Sequence, residues 1–273
     1  MTANAITYNS LTPARGVALS ASNPSMWYPM HEGTGTTLAD ALGSGPTLTV
    51  GGTIPAATIW ANAGCLTPNG TDHAATAAQQ AHADTVCSLA SLVSGGMLLL
   101  GAEIQLAGAN AATTYFFGHG RDSATAGYGG WWMGVNASDQ PQFLFRGQGA
   151  ASNVSGAMGL SIGDTHAGMV RLLLALWIAN SVSLRAELRT SATGDTVGAV
   201  QYDLTGQTIP SAALDGMTLF GKRISGATIN AYSAARVNNL FVQKRAAYSS
   251  TIAAAAWADM AAAPREFPRS LRG

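Results

Sequence analysis

The chain has 273 residues, 47% of them hydrophobic and only 10% charged, and its 14 basic residues balance its 14 acidic ones. That length suits one large all-β domain or two small ones and buries roughly 70–75% of the unfolded surface, so stability requires no metal or disulfide. A net charge of zero excludes a general nucleic-acid binder, two cysteines (Cys65 and Cys87) exclude a disulfide scaffold, and no apolar run reaches the ~20 residues of a membrane span.

Charged residues usually make up about 25% of a soluble chain. A surface this short of charge is expected to be covered by Gly, Ser, Thr and Asn or to meet another chain. The first residues, Met1-Thr2-Ala3-Asn4-Ala5-Ile6, have no basic segment followed by an apolar one. The expectation is a protein without a secretory signal, made in a cytoplasm where both thiols stay reduced.

Residues 1–24 are polar and broken by Pro13, Gly16 and Pro24, which predicts an N-terminal arm. Met26-Trp27-Tyr28-Pro29-Met30 reads as a short aromatic strand, and Thr47-Leu48-Thr49-Val50 as another. Ile59-Trp60 and Gly64-Cys65-Leu66 carry the next apolar positions, ahead of the turn Pro68-Asn69-Gly70-Thr71-Asp72. Ala74 to Ala83 is helical by propensity, without an apolar stripe. Met97 to Leu106 predicts a buried strand with Leu98, Leu100, Ala102, Ile104 and Leu106 on one face.

Thr113 to Gly118 is a further strand, and the stretch from Gly118 to Gly134 is the most loop-like segment that carries large side chains. Trp131–Val135 and Gln142–Phe145 form two strands around the turn Asn136-Ala137-Ser138-Asp139-Gln140-Pro141. The apolar run from Gly168 to Ile178 fits a helix or a strand by itself. Period-two alternation of Val182, Leu184, Ala186 and Leu188 makes it a hairpin with a turn at Ala179-Asn180-Ser181. Met217–Gly221 and Arg236–Gln243 are later strands, and Ser249 or Ser250 caps a helix to about Ala262, stopped by Pro264. Many short strands without βαβ alternation or a repeat predict a sandwich or jelly roll.

Taken together, the segments resemble the concanavalin A-like lectin/glucanase superfamily in its laminin G-like branch. The opening carries an aromatic strand, a Glu-Gly-x-Gly turn and an Asp, here Trp27-Tyr28 through Glu32-Gly33-Thr34-Gly35 to Asp40. Trp60, Gly64, Cys65-Leu66 and Gly70-Thr71-Asp72 follow the same order. The close is Leu219-Phe220-Gly221, then Arg236 to Val242, then Ala247-Tyr248-Ser249-Ser250 into the helix. The resemblance covers about residues 25–263. It implies an all-β, two-sheet antiparallel jelly-roll sandwich with one short C-terminal helix, between an N-terminal arm (1–24) and a basic C-terminal tail (264–273). The usual Tyr-x-Asp-Gly is replaced by Leu188-Arg189-Thr190-Ser191, and the acidic residues of the family's calcium sites are sparse.

Glycoside hydrolysis needs two carboxylates about 5–10 Å apart. Glu32, Glu103, Glu187 and Glu266 each lack an acid two residues away, so no catalytic residue is expected, and Glu32 suits the opening turn. His31, His73, His82, His119 and His166 show no metal-helix spacing. Asp72-His73 with His82-x-Asp84 forms a metal site only if that loop folds back; otherwise these are exposed polar residues, and no metal or cofactor is expected. The best recognition candidates are Arg121, Asp122, Tyr128, Trp131 and Trp132. Adjacent tryptophans on a strand face opposite ways. Either one indole is exposed, or covered by a neighbouring chain, and offers a flat face to a sugar ring, or both are packed. Arg121 and Asp122 would then bond sugar hydroxyls.

Three functions follow. The first is a non-enzymatic structural component of a bacteriophage virion, a capsid-decoration, head-fibre or tail protein. Its partners would be other virion proteins and copies of itself, as a trimer, with no nucleic acid and no membrane span. The second is a carbohydrate-binding module that contacts host surface glycans. The third is a glycan-active enzyme.

Overall fold

The computed structural model describes residues 25–30, 35–51, 74–76, 81–92, 95–105, 111–125, 128–148, 154–157, 170–180, 183–192, 196–203, 209, 216–225 and 228–262. The arm (1–24), Glu32, Trp60, Cys65, the turn at 68–72 and the tail (264–273) lie outside the described residues.

In chain order the first half holds β1 (Ser25–Tyr28), β2 (Thr37–Leu38), β3 (Leu48–Gly51), β4 (Ala74–Thr76) and α1 (Ala81–Cys87). A 3-10 turn (Leu89–Leu92) leads to β5 (Met97–Gln105), β6 (Thr114–Gly120), β7 (Gly130–Val135) and β8 (Pro141–Arg146). The second half holds β9 (Val154–Ala157), β10 (Val170–Asn180), β11 (Ser183–Ala192), β12 (Thr196–Asp203) and β13 (Met217–Leu219). It closes with β14 (Lys222–Ser225), β15 (Thr228–Asn230), β16 (Arg236–Arg245) and α2 (Ser250–Ala262).

The strands form an all-β antiparallel sandwich. One sheet has the order β1-β16-β5-β10-β11-β12 and the other β2-β3-β4-β13-β6-β7-β8-β9, while β14 and β15 pair only with each other. Strand alternation builds the core between the two large sheets. From β5, Leu98, Leu100, Ala102 and Ile104 point inward, as expected, and meet Phe117, Trp131, Met133, Phe143 and Phe145 within one buried cluster.

The outward residues of the six-stranded sheet are apolar too. Met97, Leu99, Leu173, Ala175, Trp177 and Phe241 pack beneath Ala253, Ala256 and Trp257 of α2. Cover on both faces explains why residues 170–178 lack polar alternation. Ser249 caps α2, accepting a hydrogen bond from the Ile252 N–H at 3.3 Å. Just before it, Tyr248 stacks on Trp177 with ring centroids 4.2 Å apart.

Three expectations are corrected. Ala74–Thr76 is strand, because it fills the slot between β3 and β13. Sheet pairing there overrides the helical preference of alanine, while Ala81–Cys87 is helix. The described residues therefore hold two α-helices rather than one. The hairpin at 170–192 forms as expected, but β10 runs on through Asn180, past an irregularity between Ile178 and Asn180.

Asp40 performs the structural work of the opening motif. Its Oδ1 accepts the Trp27 and Leu42 amides at 2.7 and 3.2 Å, and its Oδ2 those of Ser44 and Gly45 at 3.0 and 2.6 Å. Asp40→Ala strips these donors of their acceptor, and is expected to lower unfolding stability by about 3 kcal/mol in a denaturant titration.

Candidate functional site

The site grows from the β6–β7 hairpin. Register sets Trp132 opposite Gly118, Trp131 opposite His119 and Gly130 opposite Gly120. Trp131 points inward. Its ring lies 5.4 Å from that of Phe117, and its Nε1 donates to the Cys87 carbonyl at 3.0 Å. Trp132 points out of the sandwich and lies across Gly118, where a Cβ would overlap the indole. Tyr115, Leu144 and Ala231 pack around it.

Both indoles are 0% exposed. The expectation of an exposed tryptophan face is therefore corrected, and the packed alternative holds. The physical reason is that the outer face of this sheet has its own apolar cover. The chain beside the β14–β15 hairpin supplies part of it through Ala231, whose carbonyl accepts the Tyr115 amide at 3.1 Å.

The loop between β6 and β7 carries the other three candidates. Gly120 starts it at φ 101° with the Gly129 carbonyl pressed against it, a place open only to glycine. The Arg121 amide donates to the Gly129 carbonyl at 3.0 Å, and the Tyr128 amide to the Thr125 carbonyl at 3.2 Å. This closed turn lays the Arg121 guanidinium over the Tyr128 ring, 3.8 Å from its centroid. Both residues are half-buried.

Asp122 anchors the loop. Its carboxylate accepts hydrogen bonds from Arg146 Nε at the end of β8 and from Lys222 Nζ at the start of β14. Its amide donates to the Arg223 carbonyl at 2.8 Å. Lys222 also stands 5.2 Å from the centre of the Tyr115 ring. Burial alone would raise the Asp122 pKa, but hydrogen bonds and charge from Lys222, then Arg146, outweigh it and hold the carboxyl below its ordinary value. Burial likewise pushes the Tyr115 hydroxyl up to about 12, against the opposing hydrogen bond from Gln142.

The structure thus gathers Arg121, Asp122 and Tyr128 and withdraws Trp131 and Trp132 into packing. Sequence reasoning missed Arg146, Lys222 and Tyr115. Lys222 stands 100 residues from Asp122, and no local pattern marks that contact.

The histidine and acid pairs go elsewhere. His119, fully buried, meets Asp84 Oδ1 through Nε2 at 3.0 Å, and His82 Nε2 meets the Ser25 carbonyl at 3.0 Å. These contacts tie α1 to both sheets. Asp72 and His73 lie outside the described residues, and among the described residues no three His, Cys, Asp or Glu side chains are grouped to hold a metal. Burial, then the nearby Asp84, pushes the Cys87 thiol far up.

No protein-family profile matches the chain, and no curated protein does. Solved structures do. The Trypanosoma rangeli sialidase in complex with sialic acid aligns at 12% identity and a TM-score of 0.50, over 87% of this chain and 33% of that one. Its complex with 2,3-difluoro-KDN aligns at 14% identity and a TM-score of 0.50, over 84% and 31%. The Ruminococcus gnavus IT-sialidase CBM40 bound to alpha2,6 sialyllactose aligns at 12% identity and a TM-score of 0.42, over 61% and 87%. The likeness is one of fold. It is an antiparallel β-sandwich, and this chain spans about a third of the length of the sialidases it matches.

Three outcomes follow from this geometry. Trp131→Ala and Trp132→Ala should each cost roughly 3–5 kcal/mol of unfolding stability, as buried aromatic truncations do. Ala231 holds φ at 49°, so Ala231→Gly should raise stability by up to about 1 kcal/mol. Because folding lowers the Asp122 pKa, its contribution is complete above the ordinary value of 3.8 and fades as pH falls through the folded value. Melting temperature followed from neutral pH into the acid range should therefore fall less steeply below about pH 4 in Asp122→Asn than in the parent.

Proposed function

We propose that this chain is a non-catalytic carbohydrate-binding module whose ligand sits on the β6–β7 loop. The observation that carries the reading is the half-buried Arg121–Tyr128 stack, held beside Asp122 where β6 and β7, two inner strands of the eight-stranded sheet, end in their connecting loop. A ring face and a fixed fork of donors, kept in place by an ion-paired anchor, are what a sugar's apolar face and hydroxyls require. The sandwich fold is compatible with such a site and does not by itself select it.

The non-catalytic part draws support from the glutamates. Glu103 pairs with Arg171 across β5 and β10, and Glu187 pairs with Arg189 within β11. Each is buried and tied to its own cation, on different strands, whereas glycoside hydrolysis needs two carboxylates facing one bond.

A second reading, a subunit of a self-assembling virion, draws on the 10% charge content. Among the described residues Leu42 is the one exposed large hydrophobic side chain, so an apolar assembly face finds little support there. Light scattering after size exclusion tests it: a stable trimer favours assembly, and a monomer removes its main support.

The binding reading is tested on a glycan array with the parent chain, Arg121→Ala and Tyr128→Ala. Each substitution should weaken the leading signal by about tenfold or more with the circular dichroism unchanged. Equal signals from all three proteins would place binding elsewhere.

A further inference from the structure

We propose that the β14–β15 hairpin is a strap that opens and closes on the β6–β7 loop, and that saccharide binding at the Arg121–Tyr128 stack is coupled to its closure through Asp122. The proposal rests on the carbohydrate-binding reading and adds a regulation of that same site.

The hairpin stands apart from the sandwich in its pairing. Among the described residues β14 and β15 pair with each other and with neither large sheet. Its two ends are strained. Phe220 precedes it at φ 60° and Ala231 follows it at φ 49°, left-handed conformations that non-glycine residues adopt at a cost. The Ser233 amide donates to the Phe220 carbonyl at 3.1 Å and draws these two ends together. Ala231 also packs against Trp132, whose buried Nε1 has no hydrogen-bond partner among the described residues. Closure therefore carries backbone strain and an unsatisfied donor, which specific contacts must outweigh.

Those contacts run to β6 and to the loop that leaves it. The Phe220 amide donates to the Phe116 carbonyl and the Tyr115 amide to the Ala231 carbonyl, both at 3.1 Å. Lys222 donates to Asp122 through its Nζ and stands 5.2 Å from the centre of the Tyr115 ring. The Asp122 amide donates to the Arg223 carbonyl at 2.8 Å. Asp122 directly follows Arg121, whose guanidinium lies over the Tyr128 ring. Closure fixes Asp122 and, with it, the backbone from which Arg121 reaches. A saccharide that needs Arg121 in place binds the closed form more tightly and shifts the hairpin toward it.

Amide hydrogen exchange followed by NMR on the full chain tests this, without and then with the glycan that gives the strongest signal on the array. The Tyr115 and Asp122 amides report the strap, since both donate to its carbonyls. In the free protein both should exchange at least about tenfold faster than the amides of β7, a strand paired on both sides. The bound glycan should slow both by about tenfold. Lys222→Met removes one tie and leaves Arg121 and Tyr128 in place. It should speed both amides and weaken the array signal by about threefold or more, with Lys222→Arg restoring part of each. Tyr115 and Asp122 amides that exchange as slowly as those of β7 overturn the strap. A bound glycan that leaves both rates unchanged overturns the coupling while the carbohydrate-binding reading stands. Rates and signal that Lys222→Met leaves unchanged overturn the route through Asp122. An array blank for the parent chain overturns the coupling and the carbohydrate-binding reading together.

Discussion

The Asp122 carboxylate, shared by Arg146 and Lys222, holds together three pieces of chain that sequence keeps apart: the β6–β7 loop, the end of β8 and the β14–β15 hairpin. The Asp122 amide on the Arg223 carbonyl adds a backbone tie to the same hairpin. A buried carboxylate without its cations would carry a large desolvation cost, and its two partners remove it. With both present, Asp122 is fixed at the start of the loop, and beside it the Arg121 guanidinium lies over the Tyr128 ring. The candidate site thus depends on an ion-paired contact beside the Arg121–Tyr128 stack.

Around that anchor, the described residues pack on both sides of the sheets. The six-stranded sheet is covered outside by α2 and inside by the core, and the eight-stranded sheet buries Trp132 on its outer face. Gly118 makes the second arrangement possible, since the indole occupies the space of its missing side chain. The β14–β15 hairpin beside this face is flanked by two non-glycine residues in left-handed conformation, Phe220 at φ 60° and Ala231 at φ 49°. Each costs conformational energy that the surrounding contacts must offset. Ala231 does so directly, by packing on Trp132 and accepting the Tyr115 amide.

Much of the fold was legible because it follows from local rules. Alternation in 97–105 and 183–188 marks strands, and Ser249 with the apolar positions behind it marks the capped helix. Ala74–Thr76 was not legible, because its neighbours β3 and β13 decide its state and they lie far away in sequence. Of the candidate site, Arg121, Asp122 and Tyr128 stood out as polar and aromatic residues in a glycine-rich loop. The tryptophan pair misled. Alternation correctly assigns them to opposite faces, but it says nothing of what covers the outer one. Arg146 and Lys222 carried no signal at all, since ion pairs across 24 and 100 residues leave no local trace.

The most direct test of the central claim is amide chemical-shift mapping of nitrogen-labelled protein titrated with a glycan that the array identifies as bound. The account predicts that the shifting amides cluster at 120–130, Arg146 and 222–223, around the loop that Asp122 anchors. A cluster centred on α2 or the six-stranded sheet, with that loop unmoved, would contradict it.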